Sequence, residues 1–228
     1  TQGYSSAASD VYKRQYLEYT IKDGNIVGVS MGSTLFEVVS HVVHPAAQKV
    51  TFVPLVGGVG RVRMELHANS LAESLSRIYD GKFVPLHAPA RVSSRNIRDE
   101  LLKEDSLLPA IYLTQKLDIA VVGIGYPNEK SAIMATGYFK ENEIESLIDR
   151  KVAGELCMQF YDIYGDTAPY KDDNNVIGMD ISMLRSVPRS IGIAGGVEKL
   201  RAVRGAINGH YINTLITDIE CAEALISE

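Results

Sequence analysis

Short apolar runs that break off at a glycine or a small polar residue, each followed by apolar residues at helical spacing, recur along this chain and leave few architectures open. In IVGVSMGSTLFEVV, Ile26, Val27 and Val29 form a buried-strand pattern, while Leu35, Val38, Val39 and Val42 beyond the turn repeat with the helical period. TFVPL (51–55) leads through VGGVG (56–60) to a helix marked by Leu71, Leu75 and Ile78 that stops near Asp80 and Gly81. FVPL (83–86) is a further short strand, residues 98–113 form a mixed helical stretch, and DIAVVGIG (118–125) is the clearest buried strand. After a helix at 142–148, SIGIAGG (190–196) precedes a helix with Leu200, Val203 and Ile207 on one face, and NTLIT (213–217) precedes one that Asp218 caps. Strands alternating with helices predict an α/β fold: a mainly parallel, Rossmann-like sheet with helices on both faces. Residues 154–176, rich in Gly, Asp and aromatic side chains, interrupt the rhythm and read as a small irregular or antiparallel insertion.

One domain of 228 residues, 46% of them hydrophobic, can build such a core without metal or disulfide staples. Cys157 and Cys221 match no metal or disulfide spacing, which points to a reducing cytoplasm. No apolar run reaches the roughly 18 to 20 residues of a membrane span, so no membrane partner is expected. A net charge of −5 without a basic block argues against tight binding of DNA by this region. Residues 1–15 (TQGYSSAASDVYKRQ) are polar and aperiodic, and read as a non-native or disordered leader ahead of a domain spanning 16–228. DVYKRQ within it is also what GATGTGTATAAGAGACAG encodes, which resembles a transposon end used in sequencing libraries.

In a parallel sheet the turns after Ser30, Leu55, Ile124 and Ile193 gather at one edge, where ligands of open α/β sheets bind. Glycines there, Gly32, Gly57, Gly58, Gly123 and Gly125, let backbone approach a ligand, and helix N-termini favour negative charge. A pocket for a small, phosphorylated molecule follows. Gly32, Ser33 and Thr34 open a helix, where the hydroxyls either cap it or help hold an anion. VGGVG has neither dinucleotide nor P-loop spacing, which disfavours a nucleotide-binding module. Lys199 in AGGVEK lies where it can reach an anion, Glu155 can accept from a sugar hydroxyl, and His67, near Asn69, can donate to a phosphate. Each of these has an ordinary structural alternative. His41 and His44 lack a carboxylate partner, so no metal site is expected, and no nucleophile elbow occurs.

GVSMGSTL, FVPLVGGVG with HANSLAESL, VGIG, KVAGELCMQFYDIYGD and IGIAGGVEKLRAVRGAINGHYINTLITDIECAEAL together resemble, in this order from Asp23 onward, the sugar-binding domain of SorC-type bacterial transcriptional regulators. The resemblance implies a fold like that of sugar-phosphate isomerases and deaminases and a phosphorylated sugar as effector. It also implies a homo-oligomer, dimer or tetramer, and operator DNA bound only through an N-terminal helix-turn-helix, a segment missing from this sequence. Transferred residue by residue, Gly32, Ser33 and Thr34 hold the phosphate, His67 is a polar ligand contact, Glu155 binds sugar hydroxyls and Lys199 meets a second polar or anionic group. Val56 stands where some relatives carry a basic residue, which weakens the case for a second phosphate. The expectation is binding without catalysis, with no cofactor. The rival is a sugar-phosphate isomerase or aminosugar-phosphate deaminase of the same fold, for which Glu155 is a candidate base but no second acid is apparent.

Overall fold

Across the residues that the computed structural model describes, 15–43, 45–60, 63–128 and 136–227, the apolar runs become strands and the periodic segments helices. In chain order they are β1 (Ile26–Val29), α1 (Ser33–Ser40), β2 (Thr51–Pro54), α2 (Ala68–Ile78), β3 (Lys82–Phe83), α3 (Arg95–Leu101) and α4 (Leu108–Thr114). There follow β4 (Ile119–Gly123), α5 (Glu141–Asp149), β5 (Gly154–Leu156), β6 (Gln159–Tyr161), β7 (Arg189–Ile193), α6 (Leu200–Asn208), β8 (Thr214–Ile216) and α7 (Ile219–Ser227). The expected leader lies outside the described residues except for Gln15, and residues 15–20 are helical. No described helix is long and apolar enough to cross a membrane.

Six strands pair in parallel in the order β3-β2-β1-β4-β7-β8, with Val27 of β1 opposite Phe52 on one side and Ile119 on the other. Successive strand side chains point to opposite faces, so a doubly covered sheet needs apolar residues at every position. On β4, Ile119 and Val121 join a core with Leu35 and Val38 of α1 and Leu71 and Leu75 of α2. Ala120 and Val122 join the opposite core with Ala202, Val203 and Ala206 of α6. Each fully buried aliphatic side chain contributes roughly 1.5–3 kcal/mol, and this two-sided burial holds the alternation together.

The inserted segment carries the antiparallel hairpin β5–β6, and Asp218 caps α7 by accepting the N–H of Cys221 (2.8 Å). FVPL is shorter as a strand than its pattern predicts. Val84 still donates to the Phe52 carbonyl (3.0 Å), and beyond it the Asn69 side chain takes over the pairing: its Oδ1 accepts the Leu86 N–H (3.0 Å) and its Nδ2 donates to the Leu86 carbonyl (3.1 Å). The amide imitates a neighbouring strand and draws the backbone off the ladder.

VGGVG is likewise a structural device. Gly57 donates to the Ile177 carbonyl (2.9 Å), Gly58 donates to that of Ala88 (2.8 Å), and Ala90 donates to Gly58 (2.8 Å), so three backbones run side by side. A β-carbon on Gly57 would lie 2.6 Å from the carbonyl oxygens of Ala88 and Pro89, whereas one on Gly58 would meet only ordinary contact at 3.7 Å. Gly57→Ala is therefore expected to cost about 2 kcal/mol and lower the melting temperature by about 4–8 °C, while Gly58→Ala stays near wild type. Thermal melts followed by circular dichroism check both.

Candidate functional site

β1 and β4 are neighbours at the centre of the sheet, and the next strands of that sheet in sequence, β2 and β7, lie on opposite sides, which opens a crevice at their carboxyl ends. Ser30 fastens that junction: its N–H donates to the Val121 carbonyl (3.0 Å) and its buried hydroxyl accepts the Gly123 N–H (3.1 Å). A pocket of about 360 Å³, counting its open mouth, sits there. Its lining comprises Ser30, Met31 and Gly32 after β1, Gly123 of β4, Thr136, and Glu155, Cys157 and Met158 of the hairpin.

One rim is the start of α1. Gly32, with φ of 122°, is the N-cap, and no side chain caps the helix. Ser33 and Thr34 occupy the first two helical positions, and the N–H groups of Ser33, Thr34 and Leu35 have no hydrogen-bond partner among the described residues. The capping alternative for the two hydroxyls is thereby removed. Open N–H groups at the positive end of a helix make an anion-binding rim. Gly32 donates its own N–H to the Leu66 carbonyl (3.0 Å), which ties the turn Met64–Leu66 and the adjacent His67, N-cap of α2, to the same place.

At the other end stands Glu155. Gly125 and Glu155 exchange backbone hydrogen bonds (3.0 and 2.9 Å), and the carboxyl group lies where a β-carbon of residue 125 would be. Only glycine at 125 leaves room for it. Glu155 Oε2 accepts the Met158 N–H (2.9 Å). Burial pushes the Glu155 carboxyl up to about 7, with the Met158 N–H and the Lys199 charge opposing the shift. Lys199, half-buried in the turn Val197–Lys199 before α6, donates its backbone N–H to the Gly196 carbonyl (3.1 Å), and its ammonium has no hydrogen bond or ion pair among the described residues. A carboxyl near its midpoint can both donate to and accept from hydroxyl groups, and the lysine adds a positive charge beside it.

Cys157 and Met158 form the two-residue turn of the hairpin with φ of 50° and 64°. This left-handed pair is normally built from Asn and Gly, so it carries backbone strain at the pocket wall. The Cys157 thiol is held well above its usual range by burial and by Glu155, which rules it out as a ready nucleophile.

Of the expected ligand residues, the structure brings together Gly32, Gly123, Gly125 and Glu155 around the pocket, with Ser33 and Thr34 at its rim, His67 beside α1 and Lys199 within electrostatic reach of Glu155. Gly57, Gly58 and Asn69 are not among the residues lining this pocket, and their N–H groups or amide are bonded to backbone partners. Ser30, Met31, Thr136, Cys157 and Met158 were not anticipated. Ser30 alone had a signal, a serine ending a buried strand. His44, half of the histidine pair, lies outside the described residues, and no cluster of metal-binding side chains occurs among those described. A larger cleft between α3 and residues 166–182 mixes Arg95, Arg98 and Lys171 with Asp166 and Asp180, and favours no sign of charge.

Residues 8–227 match the Sugar-bind family, a sugar-binding domain. The "Deoxyribonucleoside regulator" of Bacillus subtilis (strain 168) is 27% identical over all of this chain and 73% of its own length. The "Transcriptional regulator LsrR" of Escherichia coli (strain SMS-3-5 / SECEC) is 33% identical over 79% of this chain and 56% of its own. The crystal structure of the full-length sorbitol operon regulator SorC from Klebsiella pneumoniae superposes with a TM-score of 0.90 at 28% identity, covering 99% of this chain and 74% of that one. The chain thus spans between about half and three quarters of the length of these three proteins.

Because its folded-state value is raised, the Glu155 carboxyl adds stability that is fully present below about 4.5 and is lost as pH climbs through about 7. Glu155→Gln should abolish that loss: melting temperatures of wild type and variant converge at pH 5 and separate, with wild type lower, at pH 8.

Proposed function

Since this chain belongs to the Sugar-bind family of sugar-binding domains, we propose that it senses a phosphorylated sugar on behalf of a transcriptional regulator. The observation that carries this reading is the pairing of two unlike ends in one pocket. The uncapped start of α1 at Gly32, Ser33 and Thr34 suits a phosphate, and Glu155 with Lys199 suits the hydroxyls of a sugar. His67, held beside the same helix start, adds a polar contact to the phosphate end. The names of the relatives, a deoxyribonucleoside regulator and LsrR among them, support a regulatory role over an enzymatic one.

The sensor reading requires binding without turnover. Glu155 is the single carboxylate lining the pocket among the described residues, so it has no acidic partner with which to divide a proton transfer. An effector changes the regulator only as far as it binds one state better than another. In this proposal the ligated domain alters assembly of a cytoplasmic homo-oligomer, and through it the grip of a separate DNA-binding domain on its operator.

Calorimetric titration with pentose and hexose phosphates tests the reading. At least one is expected to bind saturably without turnover, while the matching unphosphorylated sugar does not; preference for the unphosphorylated sugar would overturn the phosphate assignment. Lys199→Met and Thr34→Val should each weaken binding about ten-fold or more, on the scale of a lost charge-assisted hydrogen bond, with little change in melting temperature.

A further inference from the structure

The glycines of VGGVG take no direct part in the pocket, yet one side chain ties them to it. Tyr138 donates its hydroxyl to the Gly58 carbonyl (3.1 Å) and its N–H to Thr136 Oγ1 (3.2 Å), and Thr136 is a buried residue of the pocket lining. The Tyr138 carbonyl accepts from Arg91 Nη1 (2.6 Å). Arg91 Nη2 in turn donates to Glu143 Oε1 (2.9 Å), and the guanidinium lies over Phe139, 4.2 Å from the ring centroid. The other oxygen of Glu143 accepts the Lys140 N–H (2.9 Å) at the start of α5. The N–H, carbonyl and hydroxyl of Tyr138 are therefore each used, and each on a different segment of the chain.

Gly58 does not need this tyrosine. Its N–H and carbonyl are already held by Ala88 and Ala90 within the three-backbone ladder. Tyr138 thus links a glycine strand that is anchored without it to Thr136. The anion rim has a different support, since Gly32 is tied to Leu66. Two ends of one pocket thus rest on separate frameworks.

We propose that Tyr138 is a positioning residue for the effector: by bridging Gly58 and Thr136 it fixes the wall that recognises the sugar portion of the ligand, while the phosphate end at α1 is independent of it. The proposal rests on the reading of this pocket as a phosphosugar site. VGGVG, which supplies no residue to the pocket lining, then contributes to specificity through the rigidity of its close-packed backbone. Removing the hydroxyl while keeping the ring should loosen the wall without dismantling the fold.

The test is Tyr138→Phe, with Tyr138→Ala as a second variant. The probe is the tightest wild-type binder among ribose 5-phosphate, 2-deoxyribose 5-phosphate, glucose 6-phosphate and fructose 6-phosphate. Its Kd should rise about three- to ten-fold in Tyr138→Phe, and further in Tyr138→Ala, the range that loss of one hydrogen bond produces. The inhibition constant of inorganic phosphate, measured by displacement, should stay within about two-fold of wild type in both. A purely structural role would weaken both ligands together, and that result, or an unchanged Kd in Tyr138→Phe, overturns the proposal. Failure of the wild type to bind any of the four sugars overturns the phosphosugar reading and this inference with it, whereas wild-type binding that the variants leave intact overturns this inference alone.

Discussion

A parallel sheet covered on both faces can continue only by carrying the chain back through a connection over one face, and where successive connections lead to opposite sides of the sheet a crevice opens between two adjacent strands. Here that pair is β1 and β4, and the pocket opens at their carboxyl ends. Ser30 keeps the crevice in register: a hydroxyl buried between the strand ends takes the Gly123 N–H that the ladder leaves over. With that junction held, α1 presents its uncapped first turn to the opening and the β5–β6 hairpin reaches it from the other side.

The hairpin shows how packing becomes chemistry. Glu155 enters the crevice because Gly125 has no side chain, and the same close fit removes its carboxyl from water and raises its affinity for a proton. Lys199 and the Met158 N–H limit that shift, so the group remains near its midpoint at neutral pH. The left-handed turn at Cys157 and Met158 shows the cost of placing the hairpin tip there, since neither residue favours the conformation. Asp218 adds a brace on the Lys199 side, accepting the Gly196 N–H (2.6 Å) as well as that of Cys221, and so joins the loop before α6 to the start of α7.

Much of the fold was legible in the sequence because its strongest signals are local. Buried strands such as IAVVG and helices with Leu71, Leu75 and Ile78 on one face carry their periodicity in consecutive residues. The resemblance to SorC-type regulators rested on ordered motifs, and the family match and the sorbitol operon regulator bear it out. The glycines misled where one residue type serves two purposes. Gly123 lines the pocket and Gly125 leaves room for the Glu155 carboxyl beside it, but Gly57 lets three backbones pass closely, and composition alone does not separate close approach to a ligand from close approach to another strand. The Asn69 amide likewise bonds the backbone of Leu86, seventeen residues away, a partner that no local pattern reveals.

By itself the sequence determined the α/β alternation, the sheet edge where the glycine-bearing turns collect, and the candidacy of Gly32, Ser33, Thr34, Glu155 and Lys199, since periodicity and residue chemistry are properties of short stretches. Only the tertiary structure decided that the hydroxyls of Ser33 and Thr34 leave their helix uncapped, that Glu155 lies against Gly125, and that Thr136, Cys157 and Met158 close the pocket. Those facts depend on segments far apart in the chain meeting at one crevice. Their hydrogen-bond partners and burial do not exist until the sheet has formed.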